Sequence, residues 1–447
     1  MALGNELCSC RAMTELPQTS AAVGFEDSWY RHSAARPPLQ APLIDAIDAD
    51  VCIIGGGFTG LSAALAVLAA GQTPVILEAH EVGAGASGRN GGILGVGQNV
   101  DQATLERWFS EDRARALWDL GLEANRLVRD RIAALEIDCD LVDGELTVAH
   151  KANRLAGLYD DAEVLEQRYD YGPLQRLNAA QVSERLGTNT FFGGVLDPQA
   201  GHLHPLKLAY GELAAVLQGG GRVFEHSPVT EIETTSGPVV RLRTGRGEVR
   251  ARKVIIACNG YLGGLWPSAA RLQMPINNFV VATEPLSAKL QRQINRDNLA
   301  VVDSRFVVNY FHLSADGRLL YGGGESYRRR YPRDIAGLVR RHMLRSYPQL
   351  TGIRIDYAWG GTLSISLNRL PQLGTQDGRV YWAQAYSGHG VALAHLGGKL
   401  CAEAALAGSV SFQTLADLPH RAFPGGRALQ WPALVAGMLY YSLLDRF

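Results

Sequence analysis

The stretch Asp50-Val51-Cys52-Ile53-Ile54-Gly55-Gly56-Gly57-Phe58-Thr59-Gly60-Leu61 decides the fold. Val51 to Ile54 is a short apolar run with β-branched residues, which predicts a buried parallel strand. Gly55, Gly57 and Gly60 follow with G-x-G-x-x-G spacing. Leu61 to Ala70 is rich in Ala and Leu and free of Pro, so it predicts a helix, ended by Gly71. In this pattern the first glycine makes the turn. The second lets the backbone approach a pyrophosphate, and the third lets helix and strand pack closely. The helix N-terminus presents free N–H groups and a positive dipole end to the phosphates. Gly55, Gly57, Phe58, Thr59 and Gly60 are therefore candidate cofactor contacts.

Val75, Ile76 and Leu77 predict a second strand, ending in Glu78; Glu78 and the adjacent Ala79 are candidate cofactor contacts. An acid about 20 residues beyond the first glycine suits a ribose diol. A free acid there favours an unphosphorylated ribose, hence FAD or NAD rather than NADP. The next segment, Val82 to Gly92, is dominated by Gly and Ala. Bare backbone lets a flat ligand lie against it. Ala86, Ser87, Asn90, Gly91 and Gly92 are candidate contacts, with Ser87 and Asn90 adding hydrogen bonds and Arg89 a positive charge.

The whole chain sets limits. Its 447 residues suggest two or three structural units. Hydrophobic content of 47% with 19% charged residues is that of a globular protein. A net charge of -1 offers no global field for nucleic acid. No apolar run reaches the roughly 18 residues of a membrane span, and no secretory signal is visible. The scattered cysteines suit reduced thiols and a cytoplasmic protein. Cys8 and Cys10 lack a second pair to complete a metal site. His202 and His204 likewise read as hydrogen-bonded histidines rather than ligands.

Further along, residues 101 to 135 predict two helices and 151 to 169 another. Val254 to Ala257 predicts a buried strand running into Asn259 and Gly260, small residues suited to a ligand's approach. From Asn278 the pattern alternates, with strands predicted at Phe279 to Thr283, Arg305 to His312 and Arg318 to Tyr321. Val380 to Tyr386 predicts a strand, and Ser387-Gly388-His389-Gly390-Val391 a turn into a helix that reaches about Ala407. The expected class is α/β: a Rossmann-like FAD-binding domain with an inserted α+β substrate domain on an antiparallel sheet. The arm covers 1–44. The FAD-binding domain takes 45–100, 191–275 and 360–425, and the substrate domain 101–190 and 276–359. A tail, 426–447, contains the apolar stretch Ala433 to Leu444, expected to pack as a helix on its own subunit.

Gly55 to Glu78, Ala86 to Gly92, Ile255 to Gly260 and Ser387 to Gly390 together resemble the FAD-dependent amine and amino-acid oxidases of the D-amino-acid oxidase and sarcosine oxidase family. Gly201 to Pro205, Ala282 to Leu286, Ile355 to Trp359, Arg369 to Gln372 and Ala416 to His420 resemble more narrowly the branch acting on gamma-glutamylputrescine. The resemblance implies FAD, with its adenine end on Gly55 to Glu78 and a backbone contact from Val229. It places Ala257, Asn259 and Gly260 on the cofactor, Ser87 to Gly92 beside the flavin ring, and Gly388, His389, Gly390 and Val391 near its pyrimidine oxygen. Some family members carry a basic residue where this chain has Ala392, and attach flavin through a nearby cysteine that is missing here; noncovalent FAD is expected.

The implied reaction is hydride transfer from an amine carbon to flavin, imine hydrolysis, and reoxidation by dioxygen. A dehydrogenase serving a quinone or partner protein is the alternative, and a flavin-containing module that lends structure to a complex is a third. No catalytic acid or base is assigned. Tyr310, Tyr321, Trp359 and Tyr386 are candidate substrate walls. Arg89, Arg305 and Arg369 are candidate partners for a substrate carboxylate.

Overall fold

The computed structural model describes residues 25–234, 237–326, 330–424, 432 and 435. Cys8, Cys10 and nearly all of the stretch Ala433 to Leu444 lie outside them.

Among the described residues the first sheet has eight strands. At its centre Val380–Gln384, Glu248–Ile256, Ala46–Ile54, Pro74–Leu77 and Arg222–Phe224 run parallel in that order. Gln372–Gln376 closes one edge antiparallel, and the hairpin of Val229–Thr234 and Val240–Thr244 pairs onto the start of Glu248–Ile256. Ile54 stands opposite Leu77 on one side and Ile256 on the other. Three strands therefore end together, and Gly55, Glu78 and Ala257 emerge at one edge. That is where ligands bind in open α/β sheets.

The buried end of the first strand, Val51 to Ile54, is covered on both faces. One cover comes from the helices Phe58–Ala69, Glu111–Ala134, Pro205–Gln218 and Gly390–Leu406. The other comes from Leu262, Trp266, Val240 and Leu242. This two-sided burial explains an apolar run without alternation.

The second sheet has nine strands among the described residues. Its order is Ile355–Ile365, Met274–Thr283, Leu319–Ser326, Tyr310–Leu313, Ala300–Asp303, Val142–Val148, Gly193–His202 and Ile93–Leu94, with Gln175–Asn178 also on Gly193–His202. All pairs are antiparallel except Ala300–Asp303 with Val142–Val148. One face buries Leu146, Val301, Phe311, Tyr321 and Val281 against Val339 and Met343 of the helix Ile335–Ser346. By strand alternation the opposite face carries Glu145, Thr147, Tyr310, His312 and Gly322. That face meets the glycine-rich loop of the first body: Gly91 O lies 3.0 Å from His312 Nε2.

Two expectations about strands change. Gly193–His202, read with the nucleotide fold as part of 191–275, belongs to the second sheet, where it pairs with Val142–Val148. The strand expected from Arg305 begins only at Tyr310. Asp303 is the reason. Its carboxylate accepts the Arg305 amide at 3.2 Å, the Asn309 amide at 3.0 Å and Asn309 Nδ2 at 2.8 Å, folding the intervening residues into a loop.

Trp29 and Tyr30 anchor the described part of the N-terminal arm. Both are buried, and the Tyr30 ring packs edge-on to His204 and Trp359.

Candidate active site

The glycine turn is built by close approaches. A Cβ on Gly60 would stand 1.9 Å from Gly55 O, so only glycine lets the helix Phe58–Ala69 start this close to the strand end. Glu78 reaches back across the turn. Its Oε2 accepts the Gly56 amide at 2.7 Å and its Oε1 the His80 amide at 2.9 Å. Burial raises the Glu78 carboxyl above its usual range, and these two amides offset only part of the rise. Ala79 beside it is exposed. Val229 is buried at the start of its strand, and the nearby Ser227 amide donates to Glu78 O at 2.7 Å.

The loop after Glu78 folds onto the helix N-terminus. Ser87 Oγ accepts the Phe58 amide at 2.9 Å. Asn90 is engaged inside the loop, its Nδ2 on Ala86 O and Ser87 O and its Oδ1 receiving the Gly92 amide at 2.7 Å. Its role is to shape the loop. Arg89 is fully buried, with Nε on Ala84 O at 2.7 Å and Nη1 on Gly360 O at 3.1 Å, so it does not face a substrate carboxylate. Arg305 pairs with Asp303, and Arg369 lies over the Phe306 ring at 4.8 Å.

The remaining cofactor candidates converge on the same edge. The Ala257 amide donates to Ile54 O at 2.8 Å, and Asn259 Oδ1 accepts the Ala385 amide at 2.9 Å. Asn259 thereby ties the end of one parallel strand to the turn after another. Gly260 packs against Leu363 O. In that turn Gly388 is exposed and His389 and Gly390 are partly exposed, while Ser387 and Val391 on either side are buried. Asn99 Nδ2 donates to Ser387 O, which brings the segment from Gly95 to Asn99 against the turn. Burial lowers the His389 imidazole to about 4, so it is neutral near pH 7.

The four aromatic candidates do not form one wall. Tyr310 does face the loop: its hydroxyl donates to Asn278 Oδ1 at 2.7 Å and its ring covers Gly91, where a Cβ would stand 2.2 Å from Tyr310 Cε2. Tyr321 is 0% exposed on the opposite face of the sheet, stacked on Phe311 with centroids 5.3 Å apart. The register pairs Tyr310 with Gly322 and Phe311 with Tyr321, so the two tyrosines point to opposite faces. Trp359 is 0% exposed, with Nε1 on Arg89 O at 3.0 Å. Tyr386 is 3% exposed, its hydroxyl 2.7 Å from Thr59 Oγ1. Side chains with so little free surface brace the site from behind.

His202 and His204 are structural as expected. His202 Nε2 lies 2.8 Å from Asn298 O, and His204 Nδ1 caps its helix by accepting the Lys207 amide at 3.1 Å. Among the described residues no group of three or more potential ligands could hold a metal. None of their helices is long and apolar enough to cross a membrane.

The architecture and glycine cradle have counterparts among known proteins. The family model described as "DAO: FAD dependent oxidoreductase" matches residues 50–404. The chain belongs to this family. Its cofactor is FAD, and the cradle fits that group: a glycine turn on a helix N-terminus, a carboxylate at the end of the second parallel strand, and an exposed second glycine turn in an otherwise buried segment. The chain is 43% identical to the gamma-glutamylputrescine oxidoreductase of Escherichia coli (strain K12), over 94% of this chain and 98% of that protein. It is 38% identical to the probable oxidoreductase OrdL of Rhizobium meliloti (strain 1021), over 96% and 99%. Among solved structures, glycine oxidase from Geobacillus kaustophilus superposes with a TM-score of 0.70 at 21% identity, covering 82% of this chain and 96% of that one. L-proline dehydrogenase from P. horikoshii gives 0.64 at 16%, covering 85% and 96%. These two show the shared fold.

Sequence reasoning passed over Gly56, whose amide holds Glu78, and the acid Glu145, which faces the segment near Gly95. The signal for Glu145 was present: it alternates with Leu146 and Val148, both buried on the other face.

Proposed function

We propose that this FAD-dependent oxidoreductase oxidises an amine at the carbon next to nitrogen, with gamma-glutamylputrescine or a related gamma-glutamylated polyamine as substrate. The observation that carries this reading is the identity with the Escherichia coli gamma-glutamylputrescine oxidoreductase over nearly the full length of both chains. In this reading the body of the parallel sheet holds FAD, and the second sheet covers the substrate. Gly55 to Gly60 and Ser87 cradle the pyrophosphate, Glu78 accepts the ribose hydroxyls, and Gly388 to Val391 meet the flavin ring. FAD, when bound, supplies the hydride acceptor.

The chain's own groups position the amine and exclude water. Tyr310 and the Gly91–Gly92 backbone line the approach between the two bodies. The neutral amine is the reactive form, because hydride loss needs the nitrogen lone pair. Alkyl amines titrate at about 10.4, so the amine arrives as an ammonium and must lose that proton before hydride leaves. Imine hydrolysis then releases an aldehyde, and dioxygen takes the electrons to give hydrogen peroxide.

The test is anaerobic flavin bleaching with gamma-glutamylputrescine, putrescine and a D-amino acid side by side, followed by peroxide assay in air. Fast bleaching by gamma-glutamylputrescine with stoichiometric peroxide is expected. Bleaching by the D-amino acid alone overturns the substrate class. Bleaching without peroxide, but with dye reduction, makes the protein a dehydrogenase.

A further inference from the structure

Glu145 lies in Val142–Val148, on the side of the second sheet turned away from Leu146 and Val148. Its carboxylate opens onto Gly95. A side-chain carbon placed there would be 3.6 Å from Glu145 Oε2 and 3.7 Å from His389 Cε1. The acid therefore shares its space with the turn from Ser387 to Gly390. Among the described residues its one hydrogen bond comes from Thr147 Oγ1, at 3.4 Å to Oε1, and no cation pairs with it.

The neighbour across the strand pair is a second acid, Asp197. The two are not equivalent. Asp197 takes the Tyr171 hydroxyl at 3.0 and 2.7 Å and the Gln199 amide at 2.9 Å. Glu145 has no comparable partners. Like charges opposite each other on a sheet are unfavourable. Burial, with Asp197 adding to it, pushes the Glu145 carboxyl up to about 7. A cation seated at Glu145 offsets both effects. Neutral His389 does not supply one.

We propose that Glu145 binds the ammonium group of the substrate and sets a preference for cationic amines over α-amino acids. An α-amino acid carries a carboxylate on the carbon beside its nitrogen, and that charge would lie against Glu145. An amine with a CH2 group at that carbon brings no such repulsion. The inference rests on the proposed amine oxidation and names the residue that recognises the nitrogen.

The holoenzyme is titrated calorimetrically with n-butylguanidinium and with neutral n-butylurea, neither of which needs to turn over. The cation should bind about tenfold or more tighter to the native protein. Glu145→Gln should weaken the cation about ten- to hundredfold, the scale of a lost charged hydrogen bond, and leave the urea unchanged. In turnover, Glu145→Gln should lower kcat/KM for gamma-glutamylputrescine and narrow its margin over glycine. Equal binding of the two probes to the native protein overturns the proposal, whatever the variant does. Unchanged discrimination in a folded, FAD-containing Glu145→Gln also overturns it. A native protein that prefers the guanidinium yet is bleached by no amine sinks the oxidation reading while the ammonium site survives.

Discussion

The Ser87 hydroxyl accepts the Phe58 amide at 2.9 Å, so a residue of the following loop closes the first open N–H of the dinucleotide helix. The helix cap is Gly57, which has no side chain of its own to do this. Ser87→Ala should destabilise the FAD-free chain by about 1 kcal/mol, the usual worth of a helix N-terminal acceptor. A shift in the urea midpoint of the apoprotein reads this directly. An unmoved midpoint would show that water replaces the hydroxyl at no loss.

Glu78 separates charge from shape. Each of its oxygens accepts a backbone amide, from Gly56 and His80. Glu78→Ala should weaken FAD binding about ten- to hundredfold, from the loss of a charged acceptor worth about 1.5–3 kcal/mol. Glu78→Gln should not rescue it, because the new NH2 group would face one of those two donors. Flavin fluorescence during titration of apoprotein measures both. Native-like affinity in Glu78→Gln would mean that the charge and the lost backbone contact do not matter.

Gly91 and Tyr310 form a lock between the two bodies. Gly91→Ala should cut FAD retention severely, since the added carbon meets the Tyr310 ring at 2.2 Å. Adding Tyr310→Ala should recover much of the loss. If the double variant is as poor as the single one, the clash is not the cause.

Glu145 gives a signed pH dependence. Its carboxyl moves from an ordinary 4.5 to about 7 in the folded protein. The folded chain therefore holds the proton more tightly, and this favourable contribution is lost as pH rises through that window. Relative to the native chain, ligand-free Glu145→Gln should gain stability between about pH 4.5 and pH 7. Parallel urea midpoints across this range would contradict the assignment. Asp197 and Tyr171 are the titratable groups coupled to the acid, and His389 faces it across Gly95.

Arg89 is a test of misread function. It binds the carbonyls of Ala84 and Gly360 from a fully buried position. Arg89→Lys keeps the charge but loses the planar fork that spans two carbonyls. The fraction of protein carrying FAD should fall, while the KM of the remaining holoenzyme stays native. A raised KM with full FAD content would return Arg89 to the substrate.

The nucleotide half was legible because local rules govern it. The order of strand, glycine turn, helix, strand and Glu78 is set by neighbours in sequence, and it appears in the structure in that order. The substrate half was legible only as alternation. Tyr310 and Tyr321 looked like one cluster, yet which face each occupies depends on pairing register, which a single strand does not reveal. Arg89 read as a positive charge offered to a substrate carboxylate. Its burial comes from Trp359 and Gly360, far away in the chain. The Asp303 loop was hidden for a similar reason, since one carboxylate collecting several donors erases a strand that propensity favours.

The short strand Ile93–Leu94 leaves the glycine-rich loop and joins the second sheet, beside Gly193–His202. The cofactor cradle thus has one end in each body. Its shape cannot be completed by the nucleotide half folding alone, because Arg89, Gly91 and Ile93 are all held by partners across the seam. Cofactor capture then comes late in assembly, after contacts of long sequence separation have closed. A truncated nucleotide half should bind FAD poorly even when its parallel sheet is intact, and loss of FAD should raise amide exchange on both sides of the seam together.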